Sequence, residues 1–191
     1  SETPFPGTTV PIPKDKLSIF KGRSVSPFMN FVGDTGNWKY FLNGDVGRSV
    51  GGLVSVVAID KDIQEDSRQI IFHGGDSNYY FQASKPVDIS KFLKTKGVLK
   101  FDLRIDERPN NEVNLLMGEG KMNFNDYLNL AEIKKWTTLS IKLKCFKERG
   151  ADFSKLYMPL AMATFGSMKV SIANIEILAK PLKGSKSVDC N

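Results

Sequence analysis

Histidine and cysteine are scarce in this chain of 191 residues, with one histidine and two cysteines, and long apolar runs are missing. A serine or cysteine triad would have to pass through His73, and no nucleophile elbow surrounds any serine. Zinc would need His73, both cysteines and a carboxylate to meet, and the usual ligand spacing is absent. His73 reads instead as a turn residue beside Gly74-Gly75. No apolar run approaches the roughly 18 residues that cross a bilayer. The longest, around Leu156 to Met168, is interrupted by Pro159, Thr164 and Gly166. No RNP-like aromatic box, zinc-finger spacing or basic helix is present, so no nucleic-acid partner is expected. Ser1 to Lys16 has no basic start followed by an apolar core. A chain that opens without Met is expected to be a mature or trimmed form, so this absence does not bear on secretion.

Two cysteines allow at most one intramolecular disulfide. Cys145 ends an inward-facing row and would suit a buried thiol. Cys190 sits in a polar tail, where a free thiol would be exposed and reactive. A bridge between them would tie a loose terminus to a core strand in an oxidising compartment. Both readings stand on these residues alone.

What is present is ordinary for a globular chain: 41% hydrophobic and 25% charged residues, enough to bury one proper core. The 27 basic and 21 acidic residues leave a net charge of +6. Lys100, Lys142, Lys144 and Lys169 fall on outer strand positions, interspersed with acids. They read as a solvated face with edge-blunting lysines.

Alternation is the strongest signal. Leu99, Phe101, Leu103 and Ile105 point one way, and Lys100, Asp102 and Arg104 the other. Leu139, Ile141, Leu143 and Cys145 repeat this against Ser140, Lys142 and Lys144. Successive side chains of a strand face opposite ways, so such segments are half-buried strands. Strands are expected at 17–20, 27–32, 46–50, 53–59, 68–73, 79–82, 98–105, 112–117, 137–145, 156–163 and 168–178. Gly51-Gly52, Gly74-Gly75, Pro109-Asn110 and Gly166-Ser167 supply turns. The apolar phase slips by one between Ile172 and Ile175, which implies a bulge near Ala173-Asn174. Short helical turns are expected near 88–93, 126–131 and 146–154. The fold class is all-β: an antiparallel β-sandwich or jelly roll with a few short helical turns. Residues 1–16, with Pro4, Pro6, Pro11 and Pro13, read as a proline-rich lead-in or linker, and 17–191 as the sandwich domain.

Such a fold binds or scaffolds through its rim. The densest carboxylates, Asp60, Asp62, Glu65 and Asp66, form either a solvated turn with Lys61 and Arg68 or a structural calcium site. Exposed rings would stack on the apolar faces of sugars. Trp38 and Tyr40, beside Asn37, lie in a polar loop context, and Phe124 and Tyr127 flank Asn125 and Asp126 in another. These seven residues are the candidate carbohydrate-binding set. Tyr80 must face away from Tyr79 and Phe81, and Trp136 is expected to pack. An exposed patch of Phe28, Met29 and Phe31 would instead favour docking on a protein partner. No catalytic residues are assigned.

Several blocks in order carry a family resemblance: GRSVSPFMNFVGDTGNW, IDKDIQEDSRQIIF, LKFDLRIDERP, WTTLSIKLKCFKERGADFSKL and ANIEI. Over residues 17 to 191 the chain resembles the C-terminal galactose-binding-like domain of bacterial glucan β-glucosidases in glycoside hydrolase family 3. The resemblance implies a jelly roll that accompanies, and does not contain, the catalytic domains. It further implies a secreted or periplasmic location, a β-glucan-type glycan as partner, and a glycoside hydrolase catalytic region as neighbour. The terminal Asp-Cys and the Cys-Phe pair also look like family features and favour the Cys145–Cys190 bridge. Phe28 and Phe72 stand where members tend to carry tryptophan, and Gly118-Glu119-Gly120-Lys121 lacks the cysteine of the family's glycine loop.

Overall fold

In the computed structural model, which describes residues 15–190, fourteen strands form two sheets. The strands are β1 (Lys16–Phe20), β2 (Phe28–Asp34), β3 (Asn37–Phe41), β4 (Gly47–Arg48), β5 (Val54–Ile59), β6 (Ser67–His73) and β7 (Ser77–Ala83) in the first half. The second half supplies β8 (Val98–Glu107), β9 (Val113–Met117), β10 (Gly120–Asn123), β11 (Thr137–Lys142), β12 (Leu160–Thr164), β13 (Ser167–Leu178) and β14 (Lys186–Ser187). Two short helices, α1 (Asn125–Leu130) and α2 (Leu143–Lys147), and 3₁₀ turns at Asn43–Asp45 and Ser90–Leu93 complete the described chain.

The larger sheet has the order β14-β11-β8-β13-β6-β5-β4, with β1 also on β13; the smaller runs β10-β9-β12-β7-β2-β3. Pairing is antiparallel throughout except between β11 and the two-residue β14. The inner faces meet in one apolar core. Leu99, Phe101, Leu103, Ile105, Val170 and Ile172 come from the larger sheet, and Val32, Tyr79, Phe81, Leu115 and Met162 from the smaller. The all-β sandwich expected from the alternation is the fold observed.

The bulge is real and has a topological use. The β13–β8 register shifts between Ala173 and Glu176, with Asn174 in the left-handed region at φ 50°. Before it, β13 pairs with β6; after it, β13 pairs with β1. One extra residue thus bends a long strand so that it serves two neighbours.

Four expectations need correction. The strand expected at 137–145 stops at Lys142, and Leu143–Lys147 coils into α2. Leu143 and Cys145 stay buried, because with Phe146 they form the side of that short turn that rests on the core, while Lys144 and Lys147 face solvent. The outer face of β8 is not solvated. Lys100, Asp102 and Asp106 are buried, since β8 lies inside the sheet and two loops, one carrying Lys61 and one carrying Trp136, meet over its outer face. They survive there by pairing. Asp102 takes hydrogen bonds from Thr138 and Asn174, and Asp106 from Arg104, Ser171 and Gln69. Trp136, expected to pack, is only half-buried, with Lys61 and Arg104 against its ring. Finally, β3, β10 and β14 are strands where loops were expected. The lead-in lies outside the described residues except for Asp15 and Lys16.

Cys145 and Cys190 form a disulfide. It holds the tail that carries β14 against β11, where Val188 N–H donates to the Ser140 carbonyl at 3.0 Å. Closing a loop of 45 residues restricts the unfolded chain. Cys190→Ser should therefore lower the unfolding free energy in urea by up to about 4 kcal/mol, with both proteins assayed without reductant.

Candidate functional site

The outer face of the smaller sheet carries a second apolar cluster, separate from the core, of Phe31, Tyr80 and Ala161 with Leu116 and Met158 packed against it. Phe31, Tyr80, Ala161 and Leu116 come from neighbouring strands and share one face by the period of two, and Met158 joins them from the chain before β12. Phe31 and Tyr80 stack with centroids 5.4 Å apart and planes at 16°. Phe41, opposite Phe31 on β3, meets it edge-on at 5.9 Å and remains half exposed. The Lys39 ammonium lies 5.7 Å from the Phe31 ring centre. Tyr80 faces away from Tyr79 and Phe81, as alternation requires.

The edge strand β3 borders this platform: Lys39 and Phe41 meet Phe31, while Tyr40, paired with the core-facing Val32, belongs to the other face of the edge. All five of its residues are exposed, Trp38 at 45% and Tyr40 at 40%. Its register against β2 slips between Val32–Tyr40 and Asp34–Asn37, so two steps on β2 match three on β3. That slip turns the Trp38 carbonyl toward the Tyr80 hydroxyl, which donates to it at 2.8 Å. Gly33 makes room for this contact. A β-carbon there would stand 2.6 Å from the Trp38 oxygen and 2.5 Å from Asn78 Oδ1.

Asp34 sets where β3 begins. Its carboxylate accepts N–H bonds from Gly36 at 2.8 Å, Gly51 at 3.0 Å and Leu53 at 3.3 Å. Burial alone would push its pKa up. The Ser49 hydroxyl and the three N–H groups outweigh burial and hold the carboxyl down at about 2. One buried anion therefore fastens the β2–β3 turn to the segment before β5.

The second group of sequence candidates lies elsewhere. β3 and β10 are opposite edges of the six-stranded sheet, five strand spacings or about 24 Å apart. Asn37, Trp38 and Tyr40 therefore form no single site with Phe124, Asn125, Asp126 and Tyr127. Phe124, expected in an exposed loop, is buried, stacked on Tyr127 at 5.3 Å and edge-on to Phe101 at 6.4 Å. The apolar core below β10 claims its ring. Asn125 is spent on structure, accepting from Val113 N–H at 2.8 Å and donating to the Asn111 carbonyl at 3.0 Å. Asp126 and Tyr127, with Lys186 and Asp189, line a shallow cavity of about 340 Å³.

The proposed patch of Phe28, Met29 and Phe31 is also split. Phe28 points into the core while Met29 is exposed and Phe31 belongs to the platform, because adjacent strand residues cannot share a face. The carboxylates considered for calcium are engaged by their own loop. Asp66 accepts the N–H groups of Lys61, Asp62 and Ile63 at 2.7 to 3.0 Å, and Asp60 that of Glu65 at 2.6 Å. Among the described residues no three histidine, cysteine or acidic side chains converge as metal ligands. His73 ends β6 with its Nε2 3.0 Å from Ser55 Oγ.

What the sequence reading missed is the partnership of Phe41 and Tyr80 with Phe31. Alternation did place Tyr80 outward. Its neighbours needed the strand order, which no local pattern encodes.

This arrangement of sheets has known counterparts. The family Exop_C, described as galactose-binding domain-like, matches residues 26–177. The chain belongs to that family. No curated protein matches it. Among solved structures, this Exop_C domain is similar to the exo-1,3/1,4-β-glucanase ExoP of a Pseudoalteromonas species, with 22% identity and TM-score 0.80. The match covers 96% of this chain and 23% of that enzyme, so the chain spans under a quarter of it. The extra C-terminal domain of ExoP alone aligns with TM-score 0.78 and 22% identity, over 91% of this chain and 98% of that one. A family 30 carbohydrate-binding module follows, at TM-score 0.63 and 16% identity over 90% and 91% of the two chains. A family 11 carbohydrate-binding module from Clostridium thermocellum, solved with a β-1,3-1,4-mixed-linked tetrasaccharide, gives 0.54 and 11% over 91% and 98%. The Exop_C domain thus has a carbohydrate-binding-module-like fold.

Two outcomes test this geometry. Asp34 has a folded pKa below its unfolded value, so its stabilisation is complete above about pH 4 and is lost as pH falls toward about 2. The urea midpoint of the wild type should drop across that window. Asp34→Asn should start lower and show a shallower drop. Gly33→Ala should force the Trp38 carbonyl off Tyr80 and lower the unfolding free energy by about 1–3 kcal/mol, with a change in tryptophan emission.

Proposed function

We propose that this chain is a non-catalytic glycan-recognition domain that accompanies β-glucan degradation. Its binding surface is the exposed aromatic edge of the smaller sheet, with Trp38 and Tyr40 on β3 and with Phe41, the residue after Tyr40, turned to the face that carries the Phe31–Tyr80 stack. The observation that carries the reading is the row of ring-bearing residues on a strand whose every residue is exposed. Ring faces take up the C–H faces of pyranoses, and nearby amides, Asn37 first, hydrogen-bond hydroxyls. A strand edge without a deep cleft suits the side of a polymer chain better than an isolated monosaccharide. The carbohydrate-binding modules that share the fold support this reading, and so does the family's tie to the extra domain of an exo-β-glucanase. The disulfide supports an oxidising location, outside the cell or in the periplasm. Asp126 and Tyr127, at the far edge, are at most a separate contact.

A second reading is favoured by one observation. Met29 and Phe41 are exposed together on the wall of a cavity of about 540 Å³ that also includes Pro27 and Leu42. In that case the platform docks on a family 3 hydrolase catalytic region and touches no sugar.

Calorimetry against laminarin and mixed-linkage β-glucan separates the two. Binding should be measurable for the wild type and weaken about tenfold in Trp38→Ala and again in Tyr40→Ala, with melting temperature unchanged. Absence of heat with either glycan, together with co-purification of a family 3 catalytic region that Met29→Ala/Phe41→Ala abolishes, would replace the first reading by the second.

A further inference from the structure

The charge of this chain is unevenly spread. Residues 91–97 and 142–147 contain six lysines, Lys91, Lys94, Lys96, Lys142, Lys144 and Lys147, and no acidic residue. The chain's whole excess of positive charge is +6. Everything outside these two short segments therefore balances.

The fold brings the two segments together. Leu143 N–H donates to the Gly97 carbonyl at 3.0 Å, which joins the start of α2 to the turn that follows the 3₁₀ helix Ser90–Leu93. Gly97 is required at that junction, since a β-carbon would stand 2.6 Å from the Phe92 oxygen and 3.0 Å from Leu143. Around it opens a concave surface of about 430 Å³ lined by Leu93, Lys96, Gly97, Lys142 and Lys144. All three lysines are exposed. Lys144 has one carboxylate near it, Glu148 at 3.6 Å, and both groups are solvated. Lys96 and Lys142 have no ion pair among the described residues. Like charges gathered with a single exposed carboxylate beside the groove's three lysines raise the local potential and cost stability, which an anionic ligand would recover.

We infer that this groove, on a different sheet from the aromatic platform, is a second binding site that takes an acidic polysaccharide, one bearing carboxylate or sulfate groups along its chain. Lysine ammoniums are point charges on flexible stems and suit anions spaced along a polymer; none of the lining residues is the arginine that a bidentate fork would need. The floor of glycine and a partly buried leucine leaves room for a sugar ring between them. The lining has no aromatic ring on which a nucleobase could stack, and no exposed apolar side chain that would enter a membrane. Its concave shape accommodates a single chain, whereas an acidic protein surface needs a broad, matched face.

The test uses the whole domain with dextran sulfate and polygalacturonate as probes. Neutral dextran is the uncharged control, and poly-glutamate, single-stranded DNA and phosphatidylserine vesicles are competing anions. The wild type should bind both acidic glycans, ignore dextran, and weaken steeply as salt rises. Lys96→Gln/Lys142→Gln/Lys144→Gln should lose at least about tenfold in affinity with an unchanged melting temperature. Trp38→Ala should retain wild-type affinity, which keeps this site distinct from the platform. Failure of both acidic glycans to bind at low salt would overturn the inference. Equal affinity in the triple variant, or binding to poly-glutamate, DNA or vesicles as tight as to the glycans, would overturn it as well.

Discussion

Arg68 is a buried cation, and among the described residues no carboxylate pairs with it. Its Nε and both terminal nitrogens donate instead to backbone carbonyls of Gly22, Gly44, Asp45, Glu65 and Ser67, while the ring of Phe20 lies 5.2 Å from the guanidinium carbon. A buried ion survives only if its donors are satisfied, so three separate turns are obliged to keep their carbonyls aimed at one point. Those turns follow β1, precede β4 and precede β6. They gather at the end of the sandwich where β2 begins and β3 finishes, and Asp45 in turn accepts the amide and hydroxyl of Ser24. The cation thus fixes, through backbone, the frame that β2 and β3 depend on.

From that frame the functional geometry follows by short steps. Asp34 does with N–H groups what Arg68 does with carbonyls, pinning the start of β3 to the chain before β5. The bulge in β3 then delivers a carbonyl to Tyr80, and the platform rings pack above. The lysine groove is built by different means, from a glycine junction between a 3₁₀ turn and α2 on the larger sheet. Two surfaces of unlike chemistry, one dominated by aromatic rings and one by lysines, thus belong to one rigid core.

Much of the fold is legible in the residues because a half-buried strand has to alternate. The rows on β8 and β11 and the phase slip at Ala173-Asn174 follow from local pattern alone. Three kinds of feature escape that pattern. Lys100 and Asp102 look solvent-facing, yet two loops distant in sequence cover them, and only partners far along the chain make this tolerable. Leu143 and Cys145 continue an alternation that a helical turn satisfies equally well, because positions two apart can also both be buried on a short helix against a core. β3 has no buried face, so it carries no periodic signal. Of the binding candidates, Trp38 and Tyr40 read correctly as exposed. Phe124 did not, because a ring beside polar neighbours gives no sign of whether the core lies beneath it.

The lack of any buried face on β3 has a further consequence. A strand at the border of a sheet presents unsatisfied amides and carbonyls to any passing chain, and one rich in rings invites lateral stacking into fibrils. Here the extra residue at the bulge breaks the regular ladder, and Lys39 places a charge in the middle of the row. A ligand-reading edge is thereby kept from becoming a template for its own copies.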